Sequence, residues 1–147
     1  MAREARLIKR LEEVNRSFPP RVTSAFIHFI WIGLGTRRRN QQMGRCVLCN
    51  GEHTWDSIEH YAHCPAVLRV ATKTFGLRPP VTTYTSQSIK DRLEWLLLLD
   101  SGRPKDQMEK HFLFLYTTYR LQNCCRKEKV TIEDGGLIEK LETTYVL

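Results

Sequence analysis

A short arrangement of cysteine and histidine residues constrains this chain more than any other feature. Cys46 and Cys49 are separated by two residues, and His60 and Cys64 complete a C-x2-C-x10-H-x3-C pattern. Thiolate and imidazole ligands at such spacings are typical of a closed, tetrahedral site, with Zn²⁺ as the expected ion. Because a closed site usually builds structure and does no chemistry, the pattern indicates a structural metal and a domain that is not an enzyme.

The residues around the four candidate ligands predict how the chain brings them together. Asn50-Gly51 follows the second cysteine directly and can adopt the positive φ angles of a tight turn. His60 and Cys64 are four positions apart, so a helix would place them on one face. Asp56 is a candidate N-cap for that helix, and Pro65 can end it and open a second one. We therefore expect a cysteine turn, a loop, and a short helix that returns the other two ligands.

Other histidine and cysteine residues leave alternatives open. His63 and His53 are reserve candidates for the fourth ligand, although each is also typical of a surface histidine. Of the adjacent Cys124 and Cys125, one is expected to face the core and the other to be incidental. All five cysteines could instead be small buried hydrophobic side chains. The order of three cysteines and one histidine within a short segment favours the metal.

The segment DSIEHYAHCP, residues 56–65, resembles a known family. It is similar to the E-[ST]-x-E-H-x-x-x-C-P segment in the zinc-binding domain of reverse transcriptases from non-LTR (LINE-type) retrotransposons. In that family a CxxC precedes the segment by about the distance seen here, which assigns the ligand role to Cys46, Cys49, His60 and Cys64. The stretch before Cys46 also resembles the family, with an apolar helix, a basic connector and then the cysteine turn.

The resemblance covers roughly residues 20–125, and only the part around the ligands is specific. The family usually has an aromatic residue about two turns after the last cysteine, where this chain has Val67, Leu68, Val70 and Ala71. We therefore expect different packing behind the metal. The resemblance implies that the chain corresponds to the region after the polymerase, without the polymerase itself.

Positive charge is concentrated ahead of the metal motif. The net charge is +7, and residues 1–45 contain ten Lys and Arg against three Glu, whereas residues 46–147 contain thirteen of each sign. Basic density of this kind indicates a polyanionic partner. The alternative is a basic surface that serves only solubility.

Two groups of arginines are candidates for contacts with nucleic acid. Thr36–Gln42 is expected to be a loop whose arginines and amides face phosphates and bases, with the cysteine turn holding its end. A basic stripe on the first helix would support this contact. The alternatives are a solvated linker or nuclear-localisation patch, and a helix face that meets only water. The candidate residues are Arg37, Arg38, Arg39 and Arg45, supported by Arg3, Arg6 and Arg10.

Hydrophobic periodicity predicts a mainly α fold. Together with the ligand spacing, it indicates a small helical domain stapled by one structural zinc of the CCHC type. We expect a single domain consisting of a basic amphipathic helix (1–18), a zinc-binding core (21–76), a helical hairpin (86–129) and a C-terminal tail (130–147). The predicted helices are Ala2–Phe18, Ala25–Leu34, a short one near Cys64, Ala66–Phe75, Ile89–Leu99 and Asp106–Arg126.

Several sequence signatures of catalysis are missing, so we expect no enzyme. The chain has no pair of aspartates for two magnesium ions, no glycine-rich phosphate loop and no recognisable nucleophile–base pair. We expect a non-catalytic, zinc-dependent module that binds nucleic acid, RNA rather than DNA. One alternative is a structural RNA-binding subunit of a large ribonucleoprotein such as a ribosome. Another is a zinc-ordered protein–protein adaptor with a docking surface around Trp55 and Trp95.

The sequence also bounds where the protein works. Its apolar run Ala25–Leu34 is about half the length that a bilayer needs. The first residues lack the apolar stretch of a signal peptide. An odd number of cysteines together with a metal motif favours a reducing, intracellular compartment. We expect the nucleus or cytoplasm, and a mitochondrion is also compatible.

Overall fold

The computed structural model describes the backbone of residues 3–39, 46, 48–49, 58–80, 86–100 and 102–128. These residues are mainly α-helical, as predicted, and none of them forms a strand. The predicted C-terminal tail, residues 130–147, lies outside the described residues. The elements are α1 (Arg3–Ser17), α2 (Pro20–Arg39), α3 (Ile58–Tyr61), α4 (Pro65–Arg69) followed by a π-helical turn (Val70–Thr74), α5 (Ser86–Leu96) and α6 (Lys105–Glu128).

Helix α2 is longer than the sequence predicts at both ends. Pro19-Pro20 ends α1, as expected, but Pro20 is also the first residue of α2. Proline suits that position because its fixed φ is helical and its missing N–H would have no partner there. Gly33 and Gly35 do not end the helix, since a glycine costs only about 1 kcal/mol relative to alanine and α2 packs along α6. The expected loop at Thr36–Gln42 is therefore wrong over residues 36–39, which are helical.

The core forms where α2 packs against α1, α3 and α6. The ring of Phe112 contacts the ring of Phe26 edge-on, with their centroids 5.3 Å apart, and that of Phe18 at 6.0 Å. Further along α2, the Phe29 ring lies 6.3 Å from the ring of Tyr61 in α3. A continuous set of aromatic contacts thus joins α6, α2 and the short helix that precedes Cys64.

Helix α6 begins and ends within two residues of its predicted bounds, and its aromatic residues lie in the core, as expected. Phe112 and Leu115 are buried, while Cys125 is buried and Cys124 is half-buried, which confirms that one of the two cysteines faces the core. Trp95 of α5 is only 3% exposed. Its ring therefore serves the core and is not part of a docking surface. Across the described ranges, no helix combines the length and the apolar character needed to span a bilayer.

Helix α5 ends at Leu96, not at the predicted Leu99, because the chain reverses in a Schellman motif. Leu98 has a positive φ of 59°. Its N–H donates to the carbonyl of Trp95 at 3.1 Å, and the N–H of Leu99 donates to that of Glu94 at 2.7 Å. Glycine usually occupies the left-handed position. Leu98 is 1% exposed here, so burial of its side chain offsets the backbone strain.

Three arginines from outside α5 bind the carbonyl groups at its C-terminal end. Arg6 donates to the carbonyl of Leu99 at 2.7 Å, and Arg10 donates to that of Leu98 at 2.7 Å. Arg103 donates to the carbonyl of Trp95 at 2.9 Å. The carbonyls of Leu98 and Leu99 follow the last residue of α5, where the C-terminal end of a helix carries partial negative charge, so cations stabilise this region. We call Arg6, Arg10 and Arg103 the arginine clamp.

Candidate metal centre

The four predicted ligands converge on one point. The Sγ atoms of Cys46 and Cys64 are 3.9 Å apart, and the Sγ of Cys49 lies 3.3 Å from the Nε2 of His60. All four potential ligand atoms lie within 4.8 Å of one another. Tetrahedral zinc with Zn–S bonds of about 2.3 Å requires sulfur atoms about 3.8 Å apart. The cluster could therefore hold a zinc ion with little movement of its side chains.

The structure delivers the ligands from three local elements. Cys46 and Leu48 are fully buried, and the chain turns at Leu48 and Cys49. Helix α3 supplies His60 and ends one residue later, at Tyr61. Cys64 then occupies the N-cap of α4 with extended backbone angles, φ −64° and ψ 122°. His60 and Cys64 thus reach the cluster, but not from one continuous helix as the sequence predicts.

Proton affinities in the cluster favour a bound cation. The hydrogen bond with Cys64 lowers the pKa of the Cys46 thiol to about 4, with smaller contributions from His60 and from backbone N–H groups, while burial opposes the shift. The same hydrogen bond and burial raise the pKa of the Cys64 thiol. One thiolate of the pair forms readily and the second does not, since two buried negative charges repel. A divalent cation would remove that repulsion and let both sulfur atoms bind as thiolates.

The surroundings hold the cluster against the helical core. The side chain of Arg92 in α5 donates to the carbonyl of Ala62, between the last two ligands, at 3.4 Å, and to that of Pro80 at 2.8 Å. Tyr61, between His60 and Ala62, is fully buried. The sequence does not single out Arg92, because a lone arginine in an amphipathic helix normally faces water. Its hydrogen bonds to the carbonyls of Pro80 and Ala62 reveal its structural role.

Of the two reserve ligands, only His63 lies among the described residues, and it does not join the cluster. His63 lies outside the group of converging atoms, and its Nδ1 is 3.2 Å from the carbonyl of Glu59, to which it donates. His53 lies outside the described residues, as does Asp56, the expected N-cap. Behind the cluster, Val67, Val70 and Ala71 are buried in the positions where the resemblance would place an aromatic residue.

Helix α4 begins at Pro65, as predicted, and passes directly into the π-helical turn at Val70. The hydroxyl of Thr72 donates to the carbonyl of Leu68 at 2.9 Å. Such back-bonding competes with the regular helical ladder and often bends a helix. Gly76, with φ 62°, then ends the segment, as predicted, because glycine adopts this conformation without strain.

The arginines that the sequence assigns to nucleic acid fall into two groups. Arg37, Arg38 and Arg39 form the C-terminal turn of α2, while Arg3 opens α1; only their backbone is described. Arg45 lies outside the described residues. Arg6 and Arg10, by contrast, belong to the arginine clamp. Their guanidinium groups are committed to carbonyl oxygens, which gives them a structural role that a basic stripe in the sequence does not reveal.

Comparison with models of known protein families, with curated proteins and with solved structures finds no match. The description of the fold and of the ligand cluster therefore depends on the geometry of this chain alone.

Proposed function

We propose that this protein is a non-catalytic, zinc-stabilised helical domain that binds nucleic acid, RNA in preference to DNA. The observation that carries the proposal is the convergence of Cys46, Cys49, His60 and Cys64 within 4.8 Å, directly after the basic part of the chain. Three sulfur atoms and one nitrogen suit zinc better than magnesium or calcium, which prefer oxygen ligands. Four protein ligands leave no open position, which supports a structural ion.

The charge distribution supports nucleic acid as the partner. The entire surplus of +7 precedes the cluster, and α2 ends with Arg37, Arg38 and Arg39. Seven residues after Arg39 the chain enters the metal site at Cys46, so a bound ion would hold one end of the connection while α2 holds the other. Arginine binds phosphate through a planar, permanently charged fork. The helix C-terminus also favours a cluster of cations.

The preference for RNA and the biological setting come from the resemblance around residues 56–65. One setting is the region after the polymerase of a retroelement reverse transcriptase. The other is a structural RNA-binding subunit of a large ribonucleoprotein, such as a ribosome. Both settings use the same zinc site and the same arginines, so one experiment on the isolated protein tests the shared function.

The test combines metal analysis with salt-dependent binding. Elemental mass spectrometry on protein purified without added metal should give one zinc per chain. The zinc-loaded protein should bind single-stranded RNA with an affinity that falls steeply as salt rises, because released counterions drive phosphate binding. Replacing Arg37, Arg38 and Arg39 by alanine should leave zinc content and helicity unchanged, weaken RNA binding and flatten the salt slope. A folded protein without zinc, or an affinity for RNA that ignores salt, would contradict the proposal.

A further inference from the structure

A cavity of about 490 Å³ lies between the C-terminal end of α1 and the N-terminal end of α6. Pockets that hold small molecules usually measure about 300–1,000 Å³. All residues that line this cavity are described, and none of them is a metal ligand or one of the arginines at the end of α2. We call it the α1–α6 cavity, and its lining indicates what it can hold.

Aromatic rings form the apolar wall of the α1–α6 cavity. Phe18 and Phe112 line it, with ring centroids 6.0 Å apart and planes inclined by 62°, and Met108 lines it as well. Phe112 is buried and packs edge-on against Phe26, so the core holds its ring in place. Phe18 is half-buried. A partly accessible aromatic ring beside a cavity can stack with a flat ligand such as a nucleobase.

Two cations in the cavity lining have no acidic partner. Arg16 is exposed, and its one hydrogen bond to a described residue goes to the carbonyl of Glu12. Lys105, the first residue of α6, is exposed and forms no ion pair with any described residue. By contrast, Arg103 is paired with Asp100 at 2.7 Å. Arg16 and Lys105 can therefore bind an anion, and the N-terminal end of α6 adds partial positive charge beside Lys105.

One carboxylate in the cavity lining also lacks a partner. Glu109 is half-buried and forms no hydrogen bond or ion pair with any described residue, although Lys105 lies four positions away on the same helix. The other carboxylate, Glu13, accepts from Arg10 through both oxygens, at 3.2 and 2.9 Å. An ionised carboxylate only accepts hydrogen bonds. Glu109 therefore selects a ligand whose edge donates hydrogen bonds.

We propose that the α1–α6 cavity binds a guanine nucleotide, supplied as an unstacked base of single-stranded RNA. The base stacks on Phe18, its phosphate contacts Arg16 and Lys105, and Glu109 accepts from the N1–H and N2–H groups of guanine.

The choice of guanine follows from the hydrogen-bonding edges of the four bases. Guanine presents two adjacent donors on its Watson–Crick edge. Adenine and cytosine present one amino group beside an acceptor, and uracil presents one N–H between two acceptors. Single-stranded RNA is commonly recognised through unstacked bases that are read in this way. The inference rests on the proposed function for the source of the nucleotide, whereas the fit to guanine rests on the cavity itself.

Isothermal titration calorimetry of the zinc-loaded full chain with GMP, AMP, CMP and UMP tests the cavity directly. GMP should bind about tenfold more tightly than AMP, as expected for a bidentate contact to one base. Glu109→Gln should remove most of this preference, because an amide offers one acceptor oxygen in place of two. Lys105→Gln should weaken GMP and AMP alike, since both carry the phosphate. Circular dichroism and zinc content identify any variant that fails to fold.

Glu94→Gln is the matched control, because Glu94 is also a half-buried glutamate but lies on α5, outside the cavity. It removes the same charge and should keep the preference for GMP. Equal affinity for the four nucleotides would overturn the guanine site. A preference for GMP that survives in Glu109→Gln, or that Glu94→Gln loses to the same extent, would also overturn it.

A second measurement identifies the source of the nucleotide. Fluorescence anisotropy compares a 12-nucleotide uridine strand with the same strand carrying one central guanosine. The guanosine strand should bind more tightly, and Glu109→Gln should remove that gain. Selectivity for GMP without this gain would overturn the assignment to RNA and leave a site for a free nucleotide. Salt-dependent binding of the uridine strand without selectivity for GMP would overturn the cavity and keep the proposed function, whereas selectivity for GMP without binding of either strand would contradict the proposed function alone.

Discussion

His111 is held in one protonation state by its two hydrogen bonds. Its side chain is fully buried, with Nδ1 2.7 Å from Nη1 of Arg103 and Nε2 2.9 Å from the carbonyl of Leu96. A guanidinium group can only donate, so Nδ1 of His111 must accept the hydrogen bond from Arg103. Nε2 must then carry the hydrogen and donate it in the hydrogen bond to the carbonyl of Leu96. Burial, followed by the charge of Arg103, places the pKa of His111 well below 6.5. The folded protein therefore keeps this imidazole neutral.

We predict that acid destabilises the fold through this residue. The unfolded chain takes up a proton on His111 below about pH 6.5, whereas the folded chain resists it. The contribution to stability is complete above the unfolded pKa and is lost as the pH falls towards the folded pKa. Urea unfolding of the wild type and of His111→Gln between pH 7.5 and 5 measures the effect, and the variant should lose less stability over this range. Parallel pH profiles would contradict the role of His111, since protonation of the metal ligands affects both proteins equally.

At the level of single residues, the metal ligands were predictable and the arginines were not. Cysteine and histidine spacing restricts the geometry directly, and all four ligands converge as expected. Arginine patterns carry less information, because a guanidinium group can bind phosphate, a carboxylate or a helix carbonyl. Arg6 and Arg10 have the spacing of a surface stripe, yet they bind the end of a helix about ninety positions away.

At the level of helices, hydrophobic periodicity located α1 and α6 well, while the ends of α2 and α5 were wrong. The predicted helix Ala66–Phe75 corresponds to α4 together with the π-helical turn that follows it. Hydrophobic periodicity indicates which face of a helix is buried, but it says little about the residues at which the helix begins and ends. The glycines of α2 lower helix propensity, but tertiary packing overrides them. The end of α5 depends on Leu98 in a left-handed conformation, which sequence patterns assign to glycine or asparagine.

We predict that the arginine clamp stabilises the end of α5 measurably. Arg10 donates to the carbonyls of Leu98 and Asp100 and pairs with Glu13, with its side chain only 16% exposed. Arg10→Ala should therefore lower the free energy of unfolding by about 2 kcal/mol, in the range of charged hydrogen bonds. Arg10→Lys should recover little of the lost free energy of unfolding, because one ammonium group cannot reproduce the several hydrogen bonds of the planar guanidinium group.

Arg16→Ala on the same helix serves as the control for that measurement. Arg16 is exposed, and its one partner among the described residues is the carbonyl of Glu12 in its own helix. Its loss should therefore change stability by less than about 0.5 kcal/mol. Denaturant unfolding at neutral pH compares the three variants. Equal losses of unfolding free energy for Arg10→Ala and Arg16→Ala would contradict a stabilising role for the arginine clamp.

At the level of the whole molecule, contacts join the metal cluster to the helical core. Tyr61 lies next to His60 and packs on Phe29 of α2, while Arg92 joins α5 to the segment between His60 and Cys64. The sequence predicted a mainly helical domain and its ligands, but it did not predict these connections. They depend on residues far apart in the chain whose local patterns suggest nothing about their partners.

We predict that metal and fold are lost together. Cys49→Ser should abolish stoichiometric metal binding and lower the unfolding midpoint by about 10 °C or more, since each kcal/mol corresponds to about 2–4 °C in a chain of this size. Cys124→Ser, which replaces a half-buried cysteine outside the cluster, should retain both metal and midpoint. Elemental analysis and thermal circular dichroism measure the two properties. A Cys49→Ser protein with the wild-type midpoint would contradict a structural role for the metal.

The arginine clamp has a consequence for the order in which the protein is made. Arg6 and Leu99 are separated by 93 positions, and translation proceeds at about 5–20 residues per second. Helix α1 therefore leaves the ribosome several seconds before the carbonyls that it binds exist. During that interval α1 can pack on α2, its neighbour in the fold, but Arg6 and Arg10 have no carbonyl groups to bind. The clamp can close only after the end of α5 has been made, so we expect it to form late in the synthesis of the chain.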